Sequence, residues 1–346
     1  MGKQKTGWRW VSMMLLFMLV GCGASVEPQP AATKPAATSV APQVAATRPA
    51  ATPTAAAIAT LAAEKSKDHD EPSDYVWNAS QVVQIALQGN TIAASGAGVK
   101  VNGAIATIVA PGTYSISGAL NDGQIIVNTT GKGVVRLVLN GADIHSSTGS
   151  PIYVMSADKT VLVLADNTRN SVSDAKSYVL AANETEPNAA IFSKGDLTIF
   201  GNGSLSVAGN FNDGIASKDG LIITSGTITV NAVDDGIRGK DYLIVKGGNV
   251  TVTAQGDGLK ADNAQDPTRG YISIADGVLK VTSGRDAIQA QSDVMIAKGK
   301  FVLTAGGGSN GRIDANTSAK GIKGVTTVTI GGGTFTIDSA DDAVHS

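Results

Sequence analysis

The sequence predicts an all-β chain wound as a right-handed parallel β-helix, and three observations predict it. First, 41 glycines stand in 346 residues while charged residues make up 16% and aromatics 4%. That composition supplies tight turns and β-branched strands and lacks the charge density of a coiled coil. Second, an apolar anchor recurs at Ile191, Ile215, Ile237, Leu259, Ile288, Ile322 and Val344, at intervals of 24, 22, 22, 29, 34 and 22 residues. Third, each interval holds two or three short strands, such as Leu221–Thr224 and Thr227–Asn231, split by glycine-bearing turns. A unit of about 22 residues is too short for a propeller blade, which takes roughly 40. It also lacks the Leu-x-x-Leu-x-Leu pattern of leucine-rich repeats. One coil of a solenoid remains, each coil burying its inward residues on the coil below.

The elements follow in chain order. Lys3, Lys5 and Arg9 precede an apolar run from Val11 to Val20, which reads as a secretory signal peptide too short to span a bilayer. It ends in Leu19-Val20-Gly21-Cys22, and Cys22 is the single cysteine. The tetrapeptide resembles the bacterial lipobox, so Cys22 is expected to carry the acyl chains (palmitate among them) that hold the protein on a membrane after residues 1–21 are removed. The protein is thereby expected to be exported, facing the cell exterior. Removing residues 1–21 takes away three positive charges and lowers the formal charge from −2 to −5. Residues 22–73 form a linker, rich in Ala, Pro and Thr as far as about residue 63, with the near-duplicates AATKPAAT and AATRPAAT; it reads as a disordered stalk. Folded sequence is expected from Asp74, giving one domain over 74–346, whose stretch from Val99 to Val163 supplies the N-terminal coils and cap. The two long intervals contain insertions near Ala264–Arg269 and Gly306–Ala319. The last residues, Asp341–Ser346, open another coil, so further coils are expected in the intact protein.

The near-balance of Lys+Arg 27 against Asp+Glu 29 gives no basic block and argues against nucleic acid as a partner. The succession DGQIIVNTTGKGVVRLVLNGADI, SSTGSPIYVMSADKTVLVLADNTRNSVSD, EPNAAIFSKGDLTI, NDGIASKDGLIITSGTITV and DDGIRGKD resembles the carbohydrate-binding β-helix family of exported bacterial proteins. The resemblance covers roughly Val99 to Ser346. It implies a fold similar to pectate lyases, calcium sites, and binding of cellulose or of acidic plant or microbial glycans such as polygalacturonate.

Two rows of residues carry the chemistry. Asp213, Asp235, Asp257, Asp286 and Asp342 each stand two positions before an anchor, with Asp234 and Asp341 beside them and Asp262 beyond the Leu259 anchor. Equivalent positions in a solenoid stack at about 4.8 Å, and carboxylates so spaced repel unless neutralised. Ca2+, with six to eight oxygen ligands, would neutralise them; alternatively the aspartates only cap turns ahead of a left-handed glycine. Arg238, Lys260 and Lys323 follow the anchors by one residue, and Lys194, Lys218 and Lys240 by three. A face carrying both calcium and Lys218, Arg238, Lys240 and Lys260 suits a polyuronate, or else is a solvated charge ladder. Aromatic platforms are scarce, with Tyr242 and Tyr271 as candidates, so ionic recognition is expected over stacking. Three functions compete: a calcium-dependent polysaccharide-binding lipoprotein, a calcium-dependent polyuronate lyase, and a surface adhesin or scaffold without sugar specificity. The acids recur in every coil and His69, His145 and His345 lie far apart, so no catalytic pair or triad is singled out.

Overall fold

The computed structural model describes residues 65, 67–180, 182–314 and 316–346, all within the compact unit Pro53–Ser346. The expected signal peptide, Cys22 and the expected linker as far as residue 64 lie outside the described residues.

Strands from successive repeats pair in parallel and form three ladders. The first contains Ala189–Ser193, Asp213–Ser217, Ile237–Gly239, Leu259–Ala261, Ile288–Ala290, Ile322–Gly324 and Val344–His345. The second contains Lys159–Leu164, Leu197–Gly201, Gly220–Ile223, Tyr242–Val245, Tyr271–Ile274, Asp293–Ile296 and Thr327–Ile330. The third runs from Arg169–Ser173 through Ser204–Gly209, Thr227–Ala232, Asn249–Ala254, Val278–Ser283 and Lys300–Ala305 to Thr334–Ser339. Every expected anchor pairs with the next: Ile191 with Ile215, Ile215 with Ile237, Ile237 with Leu259, Leu259 with Ile288, Ile288 with Ile322, and Ile322 with Val344. The insertions are loops, residues 262–270 and 306–321, and a third loop, 174–188, joins Arg169–Ser173 to Ala189–Ser193. The arrangement is compatible with a parallel β-helix.

The inward rows make the core. Leu221, Leu243, Ile272 and Val294 occupy one register position of the second ladder, and Ile228, Val250, Leu279 and Phe301 one of the third; all are buried. Each such side chain removed from water contributes about 1.5–3 kcal/mol. At the N-terminal end the parallel pattern gives way. Val83–Gly89 pairs antiparallel with Ile92–Ser95, and Val99–Asn102 with Ile105–Ile108. These two hairpins end the two sheets. The cap therefore begins upstream of Val99.

Packed structure also begins earlier than Asp74. The segment from Lys65 to Gln81, here called the strap, crosses the outside of the second ladder against the chain's own order. Lys65 pairs with Asp293, Asp68 with Lys246 at 2.6 Å, and Asp70 with the same Lys246. Asp74 then meets Lys159 at 2.7 Å, and Arg136 donates to the carbonyls of Asp74 and Ser73 at 2.9 and 2.6 Å. Asp68 and Asp70, just before the expected boundary at 73/74, are thus ion-paired to the parallel ladders.

Candidate functional site

The first ladder narrows to three residues per strand, with the outer two facing the core. Ile237 and Gly239 are buried and Arg238 points outward; Leu259 and Ala261 flank Lys260 in the same way. The pairing register stacks Arg238, Lys260, Gln289, Lys323 and His345 in one outward row. Gln289 interrupts the cations.

The aspartates form the neighbouring row. Asp213, Asp235, Asp257 and Asp286 are all buried. Each accepts the backbone N–H of the equivalent residue one coil on: Asp213 Oδ1 from Asp235 at 3.2 Å, Asp235 Oδ1 from Asp257 at 2.9 Å, and Asp257 Oδ1 from Asp286 at 3.1 Å. Asp286 Oδ1 accepts from Lys320 at 2.7 Å. The column thus ties coil to coil at a corner where no strand ladder serves those donors. Gly214, Gly236 and Gly258, which follow these acids, have no positive φ, so the turn-capping alternative fails in its αL form.

The second carboxylate oxygens face the cation row, offset by a coil. Lys260 Nζ lies 2.9 Å from Asp235 Oδ2 and 2.8 Å from Asp257 Oδ2. Lys323 lies 3.3 Å from Asp286, and Arg238 lies 3.7 Å from Asp213 and 2.8 Å from Asp262. Burial pulls the Lys260 ammonium down, but the charges of Asp257 and Asp235 outweigh it and raise its pKa. In the next coil Lys320 replaces the acid and pairs with Asp341 and, at 3.1 Å, with Asp342. Most of the column is therefore neutralised by the chain's own cations, and the repulsion argument does not by itself call for calcium at Asp257, Asp286 or Asp342.

One place keeps excess negative charge. Asp213, Asp234 and Asp235 bring carboxylate oxygens within 4.8 Å of one another. Burial, then the Asp235 charge, pushes the Asp213 carboxyl up to about 7. Burial and Asp235 also raise Asp234. Asn188 reaches Asp213 Oδ2 through Nδ2 at 3.4 Å, while its own Oδ1 is buried without a hydrogen-bond partner. Oxygen-only donors, high negative charge and an orphaned amide oxygen fit a hard divalent cation.

Beside this, a cavity of about 350 Å³ opens over the later coils, a size at the small end of ligand sites. Lys260, Asp262, Arg285, Gln289 and Lys323 line it, under Asn316, Thr317 and Ser318 of loop 306–321. Ser318 anchors that loop by donating to Asp286 Oδ1 at 2.7 Å. Two oxygens of lining residues, Asp262 Oδ1 and Gln289 Oε1, are buried without a partner, although buried polar atoms are ordinarily satisfied.

The other expected residues lie elsewhere. Lys218 pairs with Glu186 of loop 174–188, and Lys240 is half-buried at the preceding edge. Tyr242 and Tyr271 are a correction. Their rings stack at 5.8 Å, but the strap covers them. His69 stacks on Tyr242 at 4.1 Å and its Nε2 lies 2.8 Å from the Tyr271 hydroxyl. Tyr242 lies over Gly220, where a Cβ would come within 1.9 Å of its ring. At 4% and 0% exposure, neither ring offers a face to a sugar. Sequence reasoning missed Asn188, Arg285, Gln289, Lys320 and Ser318. The departures KGIKG and DAIQA from the DGIRG pattern were the available signal for two of them.

Residues 102–346 match the family described as "Carbohydrate-binding domain-containing protein". A protein of that description from Acetivibrio thermocellus is 42% identical over 211 residues, which is 61% of this chain and 74% of the relative. A solved structure, described as the polysaccharide lyase-like protein from C. thermocellum in a gadolinium derivative, aligns with a TM-score of 0.67 at 34% identity. The alignment covers 73% of this chain and 99% of that one.

Proposed function

Because this chain belongs to the family of carbohydrate-binding domain-containing proteins, we propose that its first-ladder face binds polysaccharide without cleaving it. The glycan is acidic, of the polygalacturonate kind, or cellulosic, and calcium takes part. The observation that carries this reading is the cavity that Lys260, Arg285, Gln289 and Lys323 line together with Asn316, Thr317 and Ser318. Sugar hydroxyls would bond to the polar side chains that line the cavity, and uronate carboxylates would pair with Arg285, Lys323 and the bound cation. Asp213, Asp234 and Asp235, with Asn188, would hold the Ca2+, which when bound supplies positive charge to a polyanionic ligand. The solenoid is right-handed, as parallel crossovers almost always are, with about 22 residues per coil. Cys22 anchors it by lipid on the outer face of a membrane.

The neighbour described as polysaccharide lyase-like favours a second reading, a calcium-dependent polyuronate lyase. A lyase needs a neutral Lys or Arg to take the proton beside the uronate carboxylate. Lys260 sits between two carboxylates that raise its pKa, the opposite of what a base requires. Retention on insoluble polygalacturonate and cellulose, with absorbance of the supernatant read for unsaturated uronate, separates the readings. Retention without product is expected. Product formation would establish the lyase, and absence of both would remove the carbohydrate function.

A further inference from the structure

We propose that the strap and the second ladder together form a second glycan site, built on Trp77 and Phe200 and selective for a neutral pyranoside chain; this rests on the carbohydrate-binding reading above. Among the described residues Trp77 is the most exposed of the Phe, Tyr and Trp side chains, at 37%. Its ring meets Phe200 edge to face at 6.3 Å, and Tyr75 meets Phe200 from the strap at 4.7 Å. Three rings, two from residues 75–77 and one from the end of Leu197–Gly201, thus come together only because the strap is docked. Val76, 67% exposed beside Trp77, extends the apolar surface, and flat rings with C–H-rich partners are how apolar sugar faces are held.

Next to the rings lies a groove of about 460 Å³, lined by Tyr75, Phe200, Asp68, Asp70, Glu71 and Lys246. Its charges decide the ligand. Three carboxylates face one ammonium, and Lys246 is already engaged by Asp68 at 2.6 Å and by Asp70. A polyuronate would meet net negative charge here, whereas neutral hydroxyls donate well to carboxylate oxygens. The groove therefore complements an uncharged sugar chain, whereas in the first-ladder cavity Lys260, Arg285 and Lys323 balance Asp257, Asp262 and Asp286, so that a cation held by Asp213, Asp234 and Asp235 would tip that face toward a charged one. Two ligand classes divide between two faces.

The test uses the whole chain, with calorimetric titration of cellohexaose and retention on polygalacturonate. Trp77→Ala is expected to weaken cellohexaose binding about tenfold or more, with polygalacturonate retention and melting temperature unchanged. Trp77→Tyr, which keeps a ring, should recover most of the affinity. Cellohexaose binding by Trp77→Ala at the wild-type level overturns the proposal. So does a wild-type protein that is retained on polygalacturonate yet ignores cellohexaose, or a Trp77→Ala change confined to self-association in sedimentation. A wild-type protein that binds neither glycan overturns the carbohydrate reading itself.

Discussion

Two rows of glycine do different work in the same coil. At the corner between the second and third ladders, Gly226, Gly248, Gly277, Gly299 and Gly333 have φ of 104, 95, 133, 137 and 117°, values that side chains resist. At the corner before the first ladder, Gly214, Gly236, Gly258 and Gly321 are needed for space. A Cβ on Gly236 would lie 2.2 Å from Val252 Cγ1 and 2.6 Å from the Gly258 carbonyl. The Asp-Gly pair thus joins two demands: the acid bonds the next coil's N–H, and the glycine lets that coil come close enough. Gly236→Ala should cost about 1–3 kcal/mol, the range for overpacking a filled core. Thermal unfolding should show the loss, while Val233→Ala, at a side chain 44% exposed, should leave the midpoint near wild type. An unchanged midpoint for Gly236→Ala would mean that the coils can part without penalty.

Among the elements, the strap differs most from what the sequence suggests. The coils were legible because a solenoid turns a period in sequence into a register in space, so Ile215 to Val344 could be aligned without knowing the fold. The strap has no period. Its partners lie far along the chain, as in Asp68 with Lys246, and its Asp-rich composition reads like linker. Nothing in the sequence near Tyr242 and Tyr271 shows that they are covered, for the same reason, since what buries them is the strap. Its docking has a pH signature at Asp70. Burial alone would raise this carboxyl, but bonds with Asp68, Lys246 and Tyr75 hold it at about 2, below the ordinary 3.8. A depressed folded-state value stabilises docking above pH 3.8, and that contribution is lost as the pH falls toward 2. With Trp8 and Trp10 changed to Phe, Trp77 is the sole tryptophan, and its fluorescence should report undocking over that interval. In Lys246→Met the transition should move to higher pH. A transition unaffected by that change would assign the acid lability to some other group.

At the scale of the whole molecule, net charge opposes the proposed ligand. The chain carries a formal −2, and −5 once residues 1–21 are removed, so a polyuronate approaches a like-charged protein. The stacked rows were legible as rows; their stagger was not, because it depends on which carboxylate oxygen faces which coil. That stagger matters here. Lys260 is shared by Asp235 and Asp257 at 2.9 and 2.8 Å, which leaves little positive charge for a glycan. Asp213, Asp234 and Asp235 meanwhile concentrate negative charge. A cation there would do two things at once. It would relieve the buried repulsion and turn a repulsive patch into an attractive one. Chelator should therefore lower the melting temperature and release the protein from polygalacturonate, and calcium should restore both. Sodium chloride added to the chelated protein should restore neither, since salt screens buried carboxylates only weakly and supplies no bridge to the glycan. Asp213→Asn deletes a carboxylate whose burial holds its pKa near 7, so the chelated variant should melt at or above the chelated wild type while its response to calcium is reduced. Retention that persists in chelator and simply fades with salt would mean that Arg238, Lys260 and Lys323 hold the glycan without a metal.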